Sequence, residues 1–148
     1  MWAAPDKKTV LLQQERTSGN WEFVVWNTET NTARSLFPNR RFTGEAWNIQ
    51  WAENSEKILV QTQSREAIES WIVHLKGSNE CALGCTLSFL NATAHAITFS
   101  PKNNNILFLQ QSGNTLSLFE TDYIQETPST FLASGILSYI VKGEEVIW

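Results

Sequence analysis

The stretch Phe-Pro-Asn-Arg-Arg-Phe-Thr-Gly-Glu, residues 37–45, places two adjacent arginines beside a phenylalanine. Two guanidinium groups beside an aromatic ring can recognise a carboxylate or an anionic sugar. The planar fork matches a pair of oxygens, and the ring shields that pair from water. Arg40, Arg41 and Phe42 are therefore candidate binding residues, against the plainer reading of a connecting loop with solvated arginines. Arg65, in Ser-Arg-Glu-Ala-Ile-Glu-Ser, is a fourth candidate on a segment that reads as a long hairpin loop. His95, just ahead of Ala-Ile-Thr-Phe, is a fifth, placed near a loop between repeats. His74 lies in the middle of Ile-Val-His-Leu and reads as a hydrogen-bonded structural histidine.

Other chemistry is poorly represented. The sequence holds no Gly-x-Ser-x-Gly elbow, no phosphate-binding loop and no His-Glu-x-x-His, so no catalytic residue is expected in this chain. Asp6 and Asp122 are the only aspartates, too few for a calcium loop, and Glu144-Glu145 sits in a turn as solvated charge. Cys81 and Cys85, in Cys-Ala-Leu-Gly-Cys, are spaced for either a disulfide or a pair of free thiols. With two histidines in all, they do not assemble the four ligands of a structural zinc site, so neither metal nor cofactor is expected. Asn91-Ala92-Thr93 is a glycosylation sequon of the kind that also arises by chance. A net charge of −4 without clustered lysine and arginine argues against nucleic acid. Apolar runs are short and strand-like, so the segment is not expected to insert in a membrane.

What must position these residues is a repeat. Aromatic residues at Trp2, Trp51, Phe99 and Tyr139 are separated by 49, 48 and 40 residues. Seven positions after each begins a β-branched or apolar run: Thr9–Leu11, Ile58–Val60, Ile106–Phe108 and Val146–Trp148. Polar turn formers fill every gap between, including the Asn103–Asn105 run, which is thereby a turn and not a ligand site. Ser-Gly-Asn at residues 18–20 and 112–114 then predicts hairpins into a third strand, and a weaker fourth strand follows. No helical periodicity competes.

The repeat predicts one all-β domain over residues 1–148. It divides into units of about 1–46, 47–95, 96–134 and an incomplete 135–148. Units of four short antiparallel strands cannot bury both faces alone, and radial stacking covers them. The pattern resembles a β-propeller of the divergent TolB-like and WD40-like group, with a β-sandwich as the alternative. Phe-Ser-Pro-Lys-Asn-Asn and Trp-Ala-Ala-Pro-Asp-Lys-Lys are similar to the Trp-Ser-Pro-Asp-Gly stretch of TolB-like blades. Where WD40 repeats end their third strand in Trp-Asp, this chain has Trp26-Asn27 and Phe119-Glu120, so the WD40 hydrogen-bonded tetrad is not carried over.

About three and a half blades fall short of the roughly 4 to 8 of a closed propeller. The expected arrangement is part of a longer propeller, and the rival is a homo-oligomer in which two copies pair. The resemblance implies a non-enzymatic scaffold that holds a protein or other large partner through loops on one face. Its alternatives are a substrate-gating propeller portion of a larger hydrolase or peptidase, and a rigid spacer of an envelope or surface protein. It also implies an extracytoplasmic location, which the richness in Asn, Thr and Ser supports. Trp2 and Trp51, as anchors of the repeat, are expected to be buried rings.

Overall fold

The structure, a computed structural model, describes residues 1–17, 19–37, 40–44, 46–63, 68–75, 85–86, 94–103, 105–121, 129–142 and 145–147. Alternating apolar positions between polar turns fold as β-strands throughout. The first sheet is β1 (Trp2–Ala3), β2 (Thr9–Thr17), β3 (Asn20–Asn27) and β4 (Thr32–Ser35), paired in chain order. The second is β5 (Ala46–Trp51), β6 (Lys57–Gln63), β7 (Ile68–His74) and β8 (Cys85–Thr86). β9 (Ala94–Phe99), β10 (Ile106–Ser112), β11 (Thr115–Thr121) and β12 (Thr130–Ser134) form the third, and β13 (Ile140–Lys142) with β14 (Glu145–Ile147) a hairpin. Every pairing is antiparallel between successive strands. Among the described residues, three four-stranded sheets and a hairpin stand separate with no strand shared between repeats, as blades of a propeller do and the two sheets of a sandwich do not.

The chain divides into two compact units, 1–88 and 89–148. In the first, Leu11, Phe23 and Val25 of one sheet pack against Ile58, Val60, Trp71 and Val73 of the other. Phe37 and Phe42, from the segment joining the two sheets, complete this layer. Five edge-to-face ring pairs link Phe23, Phe37, Phe42 and Trp71, with centroids 4.9 to 6.0 Å apart. That is the geometry in which the positive edge of one ring meets the negative face of the next. Phe42 is further fixed by backbone bonds to Trp21 in both directions, 2.8 and 3.2 Å.

The second unit has its own small core, in which Leu109, Leu118 and Ile136 meet Leu116, Ala133, Tyr139 and Val146. Here β9 carries a bulge: Leu107 opposes Thr98 and Leu109 opposes His95, so Ala96 and Ile97 share one partner position. Ala96 takes the left-handed conformation, φ +50°, and the Tyr139 hydroxyl hydrogen-bonds to its carbonyl. The same hydroxyl lies 3.0 Å from the Leu107 carbonyl, which ties the segment before β13 to β9 and β10.

Turn geometry corrects the repeat register by one residue. The Ala4 amide donates to Thr9, Ala52 to Lys57 and Ser100 to Asn105, so these three small buried residues are equivalent. Trp51 and Phe99 immediately precede this position, but in the first sheet Ala3 does, and Trp2 stands one residue earlier. Gapless counting from an aromatic missed this; matching Pro5 with Pro101 finds it. Lys7 and Ser55, third after the buried residue, both adopt positive φ near +58°. A second correction concerns the segment after Gln63: β7 already begins at Ile68, so Ile68–Ser70 is strand and not hairpin loop. Asn103 caps its own turn by accepting from the Asn105 amide at 3.0 Å, which agrees with a turn role.

Phe37 is therefore a better probe of the core than Trp2, which is only partly buried. Phe37→Ala is expected to cost about 3–5 kcal/mol, as for other buried aromatics. Trp2→Ala is expected to cost less than half of that. Urea midpoints of the two variants check the order, and equal losses would contradict the shifted register.

Candidate functional site

The sequence-predicted site residues do not converge on one pocket. Arg40 is spent on structure: its Nη2 donates to both Glu69 oxygens at 2.7 Å, and its guanidinium lies 4.1 Å over the Trp71 ring. Phe42 is 3% exposed and belongs to the aromatic core, which corrects its assignment as a binding residue. The physical reason is the backbone bridge to Trp21, which points the ring between the two sheets. Arg41 is exposed, its Nη1 donating to the Arg40 carbonyl at 3.2 Å. His95 lies within β9 opposite Leu109, not in a loop ahead of the strand. Arg65 and Cys81 fall outside the described residues, and Cys85 pairs with Ile72 in β8. The choice between a Cys81–Cys85 disulfide and two free thiols therefore lies outside what the structure describes.

What the fold does assemble is a cleft of about 390 Å³ in the first unit. Turns from both sheets line it. Asp6, Lys8 and Thr9 come from the β1–β2 turn, Asn27, Thr32 and Arg34 from the ends of β3 and β4, and Asn54 and Ser55 from the β5–β6 turn. Val25 and Leu75 add apolar lining. Two hydrogen bonds stitch its walls together: the Asp6 amide donates to Ser55 Oγ at 3.0 Å, and Arg34 Nη2 donates to the Leu75 carbonyl at 2.8 Å.

The charges in this cleft are arranged unevenly. Lys8 is paired with Glu29 at 2.9 Å, an exposed contact worth little by itself. Asp6 Oδ1 accepts from the Lys8 and Thr9 amides at 2.9 and 3.0 Å, and Oδ2 from Thr9 Oγ1 at 3.1 Å. Burial pushes the Asp6 carboxyl up, but these hydrogen bonds and the Lys8 charge outweigh it and hold it below the usual range. Arg34 has four guanidinium donors beyond the one facing Leu75. No carboxylate pairs with it among the described residues.

The arrangement can hold an extended polar ligand: donors from Arg34 and Asn54, remaining acceptor capacity on the Asp6 carboxylate, and apolar lining from Val25 and Leu75. Sequence reading missed these residues because they sit in tight turns or at the short strand ends beside them, which look like solvated punctuation. The only signal was that Asp6 and Asn54 stand at the same step of their turns, two residues after Ala4 and Ala52.

A depressed Asp6 value makes a signed prediction. The stability it contributes is present above about pH 4, the unfolded value, and is lost as pH falls through the lower folded value. Asp6→Asn should therefore lower the urea midpoint at pH 7, and the gap to wild type should narrow progressively as pH falls below about 4. A gap that does not change with pH would mean the turn does not depend on ionised Asp6.

No protein-family profile matches the sequence, and no curated protein matches it. Solved structures do. TolB from Acinetobacter baumannii superposes with a TM-score of 0.55 and 12% identity, over 88% of this chain and 30% of that one. The β-propeller domain of the Trilobed protease from Pyrococcus furiosus, described as having an open velcro topology, gives 0.58 and 12%, over 92% and 42%. The chain thus spans under half the length of either. At such identity the likeness speaks for the fold alone, and it agrees with the separate four-stranded sheets: the chain is built of β-propeller blades.

Proposed function

We propose that this chain is a non-enzymatic binding propeller that holds an extended segment of a protein partner at the loop end of its first two blades. The observation that carries this reading is the convergence of turns from two successive repeats on one cleft of about 390 Å³. A peptide offers what that cleft lacks. Its carboxylates suit the Arg34 guanidinium, its amides suit the Asp6 carboxylate, and its apolar side chains suit Val25 and Leu75. Loops that vary on a rigid sheet scaffold are the usual place for such recognition.

A second reading is favoured by the resemblance to a protease's propeller domain. Here the blades are the substrate-gating part of a larger hydrolase, and the same cleft samples unfolded substrate. Both readings place the contact at Arg34, and they differ in whether binding is sequence-selective.

Peptide-display selection on the full chain, followed by calorimetry, tests the proposal. Selected peptides should share an acidic residue, and Arg34→Ala should weaken them at least about tenfold, the loss of one charge-assisted contact. Peptides without a shared pattern that still depend on Arg34 favour the gating reading. Ligands indifferent to Arg34→Ala, or no ligands at all, overturn the assignment of the cleft.

A further inference from the structure

The first and last strand of each four-stranded sheet stand at its edges, with backbone groups on the far side that no strand of the sheet bonds. Such edges recruit further strands unless they are blunted by shortness, a bulge, charge or proline. Among the described residues, five of the six are blunted. β1 and β8 hold two residues each. β5, β9 and β12 each carry an extra residue that breaks their register: Trp47 lies between Ala46 and Asn48, Ala96 and Ile97 share one partner position, and Leu132 lies between Phe131 and Ala133. β4 has neither device. Its register against β3 runs unbroken from Asn27–Thr32 to Val24–Ser35, and it contains no proline. Its one charge, Arg34, is drawn aside to the Leu75 carbonyl at 2.8 Å.

The direction of the β4 backbone groups follows from two neighbouring bonds. The Thr28 amide donates to the Lys8 carbonyl and the Leu36 amide to the Phe23 carbonyl, both at 2.8 Å. Bonded positions alternate along an antiparallel pair, so Thr32 and Arg34 exchange bonds with Asn27 and Val25. Ala33 lies between them at an exposed position, and its N–H and C=O face away from β3. Side chains alternate across the sheet instead. Thr32 and Arg34 project to the side of Val25, the face that meets the second sheet and lines the cleft.

We propose that an extended segment of the partner adds to the first sheet as a fifth strand, antiparallel along the free edge of β4. This rests on the cleft being a peptide site and specifies how the peptide is held. One partner residue exchanges both main-chain bonds with Ala33. Its two neighbours stand opposite Thr32 and Arg34 and turn their side chains toward the cleft. A carboxylate opposite Arg34 meets the guanidinium donors that the Leu75 carbonyl leaves over. Backbone pairing supplies affinity with little sequence preference, and Arg34 selects the residue at one position. A second copy of this chain offering its own β4 is the poorer occupant. Antiparallel pairing about Ala33 sets Arg34 against Thr32 and brings no carboxylate.

The test uses the full 148-residue chain and the Arg34-dependent peptides recovered by display, each resynthesised with one N-methyl group moved along its backbone. Strand addition predicts losses of at least about tenfold at alternate positions, where the amide faces β4, and little change between them. Ala33→Pro removes an outward N–H but no bond to β3. It should weaken the unmodified peptides by a similar factor with an unchanged circular dichroism spectrum. Should that variant fail to fold, the N-methyl series on wild type carries the test alone. Binding that depends on Arg34 but shows no alternation, or that survives Ala33→Pro, overturns strand addition and leaves the peptide site standing. The absence of any Arg34-dependent peptide overturns both. A peptide-free dimer in sedimentation that Ala33→Pro abolishes makes a second copy the occupant and also overturns the proposal.

Discussion

A short antiparallel sheet with apolar residues on both faces has no stable existence alone in water. At about 25 cal/mol per Å² of exposed apolar surface, each uncovered face costs several kcal/mol. Everything else in this chain follows from covering those faces with copies of the same unit. Leu11, Phe23 and Val25 on one side of the first sheet meet Ile58, Val60, Trp71 and Val73 on the facing side of the second. Odd and even positions of each strand serve different neighbours, so one sequence pattern supplies both halves of a recurring interface.

This constraint also explains the connector between the first two sheets. A loop of that composition would ordinarily be free to carry function. Here Phe37 and Phe42 plug the gap between sheets, and Arg40 lies flat on Trp71 while reaching Glu69. Its charge is used to satisfy an acid near the start of β7, which leaves Arg41 as the exposed cation of the pair. The tight turns behave differently: their side chains cap their own backbone, while Arg34, in the neighbouring strand β4, keeps donors to spare.

Strand identity and number were legible in the sequence because turn residues and β-branched runs recur at nearly constant spacing. Register was less so. Trp2 looked like the counterpart of Trp51, yet backbone bonds make Ala3 its equivalent, because the turn is measured from the small buried residue and not from the ring. Local pattern likewise could not show that Asp6 and Ser55, 49 residues apart, would share a hydrogen bond. Glu69 was hidden for a related reason: Arg-Glu-Ala-Ile-Glu-Ser has no alternation of its own, and β7 extends into it only because Gln63 pairs with Ile68. Convergence across repeats is a property of stacking, and stacking is not written in any single window of sequence.

The central claim is that the aromatic layer couples the first two sheets. A double-mutant cycle on Phe37 and Trp71, whose rings lie 5.4 Å apart at 71°, measures that coupling directly. Edge-to-face packing predicts a favourable interaction of about 0.5–1.5 kcal/mol between them, seen as non-additive loss in Phe37→Ala, Trp71→Ala and the double variant. Losses that add, with no coupling beyond measurement error, would contradict face-to-face stacking of the two blades.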